Sequence, residues 1–139
     1  MAGLPQHRPQ QISLGKLESE ILGILWQKGE TTAKAIHEVI LSDPDRELAY
    51  ASVMTVLNRL AKKGWVISRK EKRSVYWQAL VNEAEAKSLI AYDQLHRFLA
   101  IGNADMLVAF VDELDQTAQA KLNAIADRLQ QIRKQRQGE

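Results

Sequence analysis

Ala51, Thr55, Asn58 and Lys62 recur at spacings of four, three and four, with Ser52 and Arg59 beside them. On a helix that spacing gathers them on one side. The side so formed is short and uncharged at its N-terminal end and cationic at its C-terminal end. Hydroxyl and amide groups placed this way can meet base edges in a DNA major groove, and the cations behind them can meet phosphates. Contact with water alone does not ask for such a composition, because Ser, Thr and Asn are mediocre helix formers and β-branched Val53, Thr55 and Val56 lose rotamer freedom. A second cationic group, Lys70, Lys72 and Arg73, follows in the stretch "KEKR". This is the chemistry of polyanion binding. Catalysis is not expected: there is no phosphate-cradling glycine loop and no Ser/His or Cys/His pair in a recognisable context. His7, His37 and His96 are scattered, with only Asp93 near His96, so neither a metal site nor a cofactor is expected.

The helix that carries the polar side is fixed by its opposite face. Val53, Val56, Leu57 and Leu60 form one apolar stripe, and the helix is expected from about Tyr50 to Lys63, ended by Gly64 as a left-handed residue. Two helices precede it. The stripe of Leu17, Ile21, Ile24, Leu25 and Trp26 predicts a helix from about Gly15 to Lys28, stopped by Gly29. Thr31 or Thr32 then caps a second, with Ala35, Ile36, Val39 and Ile40 inward and Pro44 beyond its end. From Trp65 the period changes to two, and "WVISRKEKRSVYWQAL" predicts a hairpin. Its turn lacks an Asn-Gly signal, so a longer, mobile loop is expected. Trp26 and Trp65 read as core, as does at least one of Tyr76 and Trp77, which alternate across a strand. Helix, helix, helix, hairpin is the order of a winged helix-turn-helix.

The chain has 139 residues, 45% of them hydrophobic and no cysteine, so it can bury a core and has neither disulfide nor thiolate chemistry. Its charge is concentrated: residues 46–73 hold eight basic and two acidic groups, residues 82–115 two and seven. No run of 18 apolar residues exists and "MAGLPQHRPQQ" lacks the apolar region of a signal peptide, so a cytoplasmic protein without membrane insertion is expected. Residues 1–12, with Pro5 and Pro9, read as a disordered tail, 13–81 as the winged-helix domain and 82–139 as a helical dimerisation domain. In that last region Ala118, Leu122, Ile125, Leu129 and Ile132 repeat at four and three, the seam of a coiled coil. Leu107, Phe110, Val111 and Leu114 form a second stripe, and Leu89, Tyr92, His96 and Leu99 a third, giving three helices broken near Gly102 and Asp115. So short a region can hardly bury three stripes alone, and a second copy is the simplest cover. The fold class is mainly α with a small antiparallel hairpin. Leu107, Phe110, Val111, Leu122, Ile125, Leu129 and Ile132 are the expected dimer contacts.

"LGKLESEILGILWQKGETTAKAI" and "AYASVMTVLNRLAKKGWVISRKEKRSVYWQAL", over about residues 14–81, resemble the DNA-binding domain of the penicillinase-repressor type of transcriptional regulator, the BlaI/MecI/CopY family. The resemblance implies a homodimeric repressor on a dyad-symmetric operator of double-stranded DNA. It puts Ala51, Ser52, Met54 and Thr55 at groove-facing positions and Arg59 at a phosphate-contacting one; Tyr50, Asn58, Lys62, Lys70, Lys72 and Arg73 complete the expected DNA-binding set. Relatives often hold basic residues where Ala51 and Met54 stand, so their base preference does not transfer. The resemblance also implies derepression by a regulatory protease in the dimerisation region. The corresponding bond is Ala109 to Phe110, where relatives usually have Asn before the Phe. The copper-responsive branch carries C-terminal cysteines, and this chain has none. A second reading of the same residues is a winged-helix protein-interaction module without specific DNA binding.

Overall fold

The computed structural model describes residues 4–138, which form two compact units divided after Gln94. Three helices open the first: α1 (Lys16–Lys28), α2 (Ala33–Leu41) and α3 (Tyr50–Lys63). Their ends follow from local chemistry. Gly15 offers no capping side chain, so the Glu18 carboxylate reaches back to accept the Gly15 N–H at 2.7 Å. Thr32 caps α2 by accepting the Ala35 N–H at 3.2 Å. Gly64 ends α3 at φ +90°, with its own N–H and that of Trp65 returning to the Leu60 carbonyl. A side chain at Gly64 would also press on the Pro9 backbone at 3.1 Å, which adds to the preference for glycine that the positive φ sets.

Val53, Val56, Leu57 and Leu60 are all buried, as their spacing predicts, and meet Ile21, Leu22 and Leu25 of α1 and Ile36 and Ile40 of α2 in one core. On α2 the inward alanine is Ala33 rather than Ala35. Trp65 is fully buried and Trp77 nearly so, whereas Trp26 is half-buried and donates its indole N–H to the Val81 carbonyl at 2.9 Å. Strands β2 (Val66–Glu71) and β3 (Ser74–Ala79) form the wing, paired antiparallel with Ser68 opposite Trp77. The expected long loop is corrected: Glu71 pairs with Ser74, leaving a two-residue turn of Lys72 and Arg73. Lys72 takes φ +56°, a left-handed conformation that glycine or asparagine normally announces. A third strand, β1 (Thr31–Thr32), joins the other edge of β3, giving the order β1-β3-β2.

The segment read as a disordered tail makes defined contacts over its described part; residues 1–3 lie outside the described residues. Pro5 and Pro9 are buried, His7 Nε2–H donates to the Gly64 carbonyl at 2.7 Å, and the Gln11 carbonyl accepts the Trp65 indole N–H at 2.9 Å. Arg8 lies over the Tyr92 ring, 5.8 Å from its centre. Helix α4 (Glu83–Ile101) opens with a reciprocal cap between Asn82 and Glu85. The sequence reading divides the chain at residue 81; the compact units divide after Gln94, because Ala86 and Leu89 of α4 belong to the winged-helix core.

In the second unit, α5 (Ala104–Asp112) and α6 (Gln116–Gln137) are capped by Asn103 and Asp115, the breaks that the sequence predicts. The Gln119 amide ties the start of α6 to the Leu114 carbonyl at 3.0 Å, and Phe98 stacks on Phe110 with ring centres 5.9 Å apart. No residue of α5 or α6 is buried.

Candidate nucleic-acid interface

α3 is held at both ends and along its back. Before it, Arg46 makes a bidentate pair with Glu20 of α1 at 2.7 and 2.9 Å, and the His37 Nε2–H donates to the Leu48 carbonyl at 2.6 Å. The His37 ring also meets Tyr50 edge-on, with centres 5.8 Å apart. These contacts fix the turn of the helix-turn-helix. At the far end Lys63 donates to the Ser13 carbonyl at 2.8 Å and to Glu18 at 2.9 Å. Glu18 is 4% exposed, and burial alone would raise its pKa. Hydrogen bonds from Lys63 and the Gly15 N–H outweigh that and hold the carboxyl below its ordinary value.

The face left outward is the one the sequence selects. Tyr50, Ala51, Thr55, Asn58, Arg59 and Lys62 are exposed, Ser52 and Met54 half-buried. Thr55, Asn58, Arg59 and Lys62 line one shallow concavity. Thr55 donates its hydroxyl hydrogen to the Ala51 carbonyl at 2.9 Å, so its remaining capacity is as an acceptor. Lys70, Lys72 and Arg73 are exposed on the wing. None of the five cations Arg59, Lys62, Lys70, Lys72 and Arg73 forms an ion pair among the described residues.

Arg69 behaves differently. It bonds Glu30 and Glu71 and lies over the Tyr76 ring, 4.8 Å from its centre. The hydrogen bonds that Arg69 donates to Glu30 and Glu71 raise the guanidinium pKa further, and Arg69 lowers that of Glu30 in return. This latch ties β2 to the α1–β1 connection. Sequence spacing gives no sign of it, because Glu30 and Arg69 stand 39 residues apart. The expected dimer contacts lie on the second unit with their apolar surface outward: Phe110, Val111, Leu122, Ile125 and Leu129 are exposed, Leu107 and Ile132 half-buried. Ala109 is exposed beside Phe110 on α5. Among the described residues no group of three metal-ligating side chains converges, and no helix is long and apolar enough to cross a membrane.

Residues 14–131 match the family described as Penicillinase repressor. The transcriptional regulator BlaI of Mycobacterium tuberculosis is 34% identical over 106 residues, which cover 74% of this chain and 60% of that protein. The methicillin resistance regulatory protein MecI of Staphylococcus aureus is 24% identical over 102 residues, 73% of this chain and 81% of that one. The chain therefore spans about 60% of the length of the BlaI relatives. Among solved structures, the oxidized form of MarR from E. coli superposes with a TM-score of 0.43 at 17% identity, covering 85% of this chain and 76% of that one.

Proposed function

The chain belongs to the penicillinase repressor family, and from that premise we propose that it is a transcriptional repressor which binds a dyad-symmetric DNA operator as a homodimer. One observation carries the proposal: of the basic residues 46–73, those on the outer face of α3 and on the wing form no ion pair among the described residues, while Arg46, Lys63 and Arg69 are spent on internal ion pairs. The fold neutralises the cations that build the scaffold and leaves the rest to a polyanion.

In this reading α3 enters the major groove, with Ala51, Ser52 and Thr55 close to base edges because their side chains are short. Thr55, its hydrogen already donated, accepts from an exocyclic amine of adenine or cytosine. Arg59, Lys62 and the wing cations hold phosphates. The outward apolar faces of the second unit join two copies, spacing the two α3 helices for half-sites about 10 bp apart or a small multiple of that. Cleavage between Ala109 and Phe110 would part α6 from α3 and turn two linked contacts into separate weak ones. Such a repressor works where the chromosome is, in the cytoplasm.

Titration of fluorescent duplex DNA with the full chain at several salt concentrations tests the proposal. Tight binding with a steep salt dependence is expected, and Lys62→Ala should weaken it and reduce the log–log slope by about 0.9. Absence of duplex binding at low salt, or a slope unchanged by Lys62→Ala, would favour the protein-interaction reading instead.

A further inference from the structure

The chain contains three tryptophans, and one is unlike the others. Trp26 and Trp65 each donate the indole N–H to a backbone carbonyl at 2.9 Å. Trp77 is 4% exposed, yet its N–H has no acceptor among the described residues. Buried indoles as a rule find one. The one fully enclosed side-chain polar atom without a partner among the described residues is Glu18 Oε2, so the Trp77 nitrogen is reachable from outside.

Trp77 lines a cavity of about 320 Å³ between the start of α2, the start of α3 and the wing. Its lining is about half apolar, from Met54, Val75, Trp77 and the Tyr50 ring, and about half polar, with Thr32 and Ser74 on it as well. Lys34 and Arg73 stand on the same lining, and neither has an ion-pair partner among the described residues. Apolar side chains on one part of the lining, with an N–H that has no acceptor and two cations that have no ion-pair partner among the described residues, make a complementary set for one class of ligand. An inorganic anion would waste the apolar part of the lining, and a neutral hydrocarbon would leave the N–H and both charges unanswered.

We propose that this cavity binds a small aromatic carboxylate, its ring against Met54, Val75 and Trp77 and its oxygens accepting from the Trp77 N–H, Lys34 and Arg73. Tyr50, Met54 and Arg73 also belong to the surface assigned above to DNA, so ligand and duplex exclude each other and the ligand releases the operator. That second step rests on the repressor reading; the binding step does not.

The test is a titration of the ¹⁵N-labelled full chain with 2-naphthoate, following the three indole N–H signals. The Trp77 signal is identified by its proximity to Thr31, its cross-strand partner, so no tryptophan variant is needed. It should move saturably while those of Trp26 and Trp65 stay, and Lys34→Gln with Arg73→Gln should weaken the dissociation constant about tenfold or more. At a concentration ten times that constant, 2-naphthoate should lower the apparent duplex affinity roughly tenfold. A Trp77 signal that stays put at millimolar 2-naphthoate overturns the site. Equal shifts with inorganic phosphate overturn the ligand class. Binding without loss of duplex affinity overturns the effector role. A chain that ignores DNA before any ligand is added defeats the repressor reading, and the indole titration still decides the cavity.

Discussion

The two units of this chain treat apolar side chains in opposite ways. In the first, Ile21, Leu22, Leu25, Ile36, Val53, Leu57, Leu60 and Trp65 are wholly or almost wholly enclosed, and the helices meet around them. In the second, α5 and α6 enclose nothing, and Phe110, Leu122, Ile125 and Leu129 lie open although their spacing is as regular as that of any core helix. Regular spacing shows that a face is meant to be covered; it does not say by what. The first unit is complete as one chain, and the second needs another surface, which we propose is a second copy.

The largest expected effect breaks that second surface. Ile125→Asp with Leu129→Asp puts two carboxylates into the proposed seam, where burial of unpaired charge is prohibitive. Sedimentation should show single chains, and duplex affinity should fall by about 10²–10⁴ as the linked contacts separate. Thermal unfolding of the winged-helix unit should be little changed. A double variant that still sediments as a dimer would mean that α6 is not the seam.

A pair of truncations sharpens the contrast. Leu57→Ala empties a fully enclosed position and should destabilise the chain by about 2–5 kcal/mol in urea unfolding. Val108, 68% exposed and outside the proposed dimer contacts, should tolerate alanine within about 0.5 kcal/mol. A loss above about 1 kcal/mol at Val108 would show that the covered surface extends around α5.

Electrostatics divides the units too, since the carboxylates whose pKa is lowered, Glu18, Glu20 and Glu30, all stand in the first. For Glu18 the folded value lies below the ordinary 4.5, so its pairing stabilises the fold above that pH and the contribution is lost as the pH falls through the folded value. Lys63→Met removes the main favourable partner and leaves burial opposed only by the Gly15 N–H and the charge of Arg59. At neutral pH it should destabilise the chain by about 3 kcal/mol. Its loss of stability on acidification should also shrink, because less of the Glu18 stabilisation remains to be titrated away. Parallel acid profiles for parent and variant would show that the pair carries no such linkage.

What the sequence makes legible is what is local. The bounds of α3, the stops at Gly29 and Gly64 and the breaks near Gly102 and Asp115 follow from caps and glycines within a turn of the helix end. The outward face of α3 follows from its buried stripe. The misses are non-local or too short. β1 is two residues long, too few to show a period, and exists because β3 offers it an edge. The contacts of residues 5–11 depend on Gly64 and Trp65, more than fifty residues on. Arg69 looks in sequence like one more wing cation, and only the fold brings Glu30 to it. The cavity beside Trp77 likewise needs three separate elements to close it.

The smallest effect concerns Lys72, where folding and the proposed function pull in different directions. At φ +56° a lysine is strained by about 1–2 kcal/mol relative to glycine, and the two-residue turn would be better served by Gly. A residue kept against that preference in an exposed turn points to use of its side chain. Lys72→Gly should therefore stabilise the first unit by up to about 1 kcal/mol while reducing the salt slope of duplex binding by about 0.9. Opposite signs in the two measurements mark a residue retained for its charge. Higher stability with unchanged DNA affinity would place the wing tip away from the phosphates and leave the interface to α3 and Arg73.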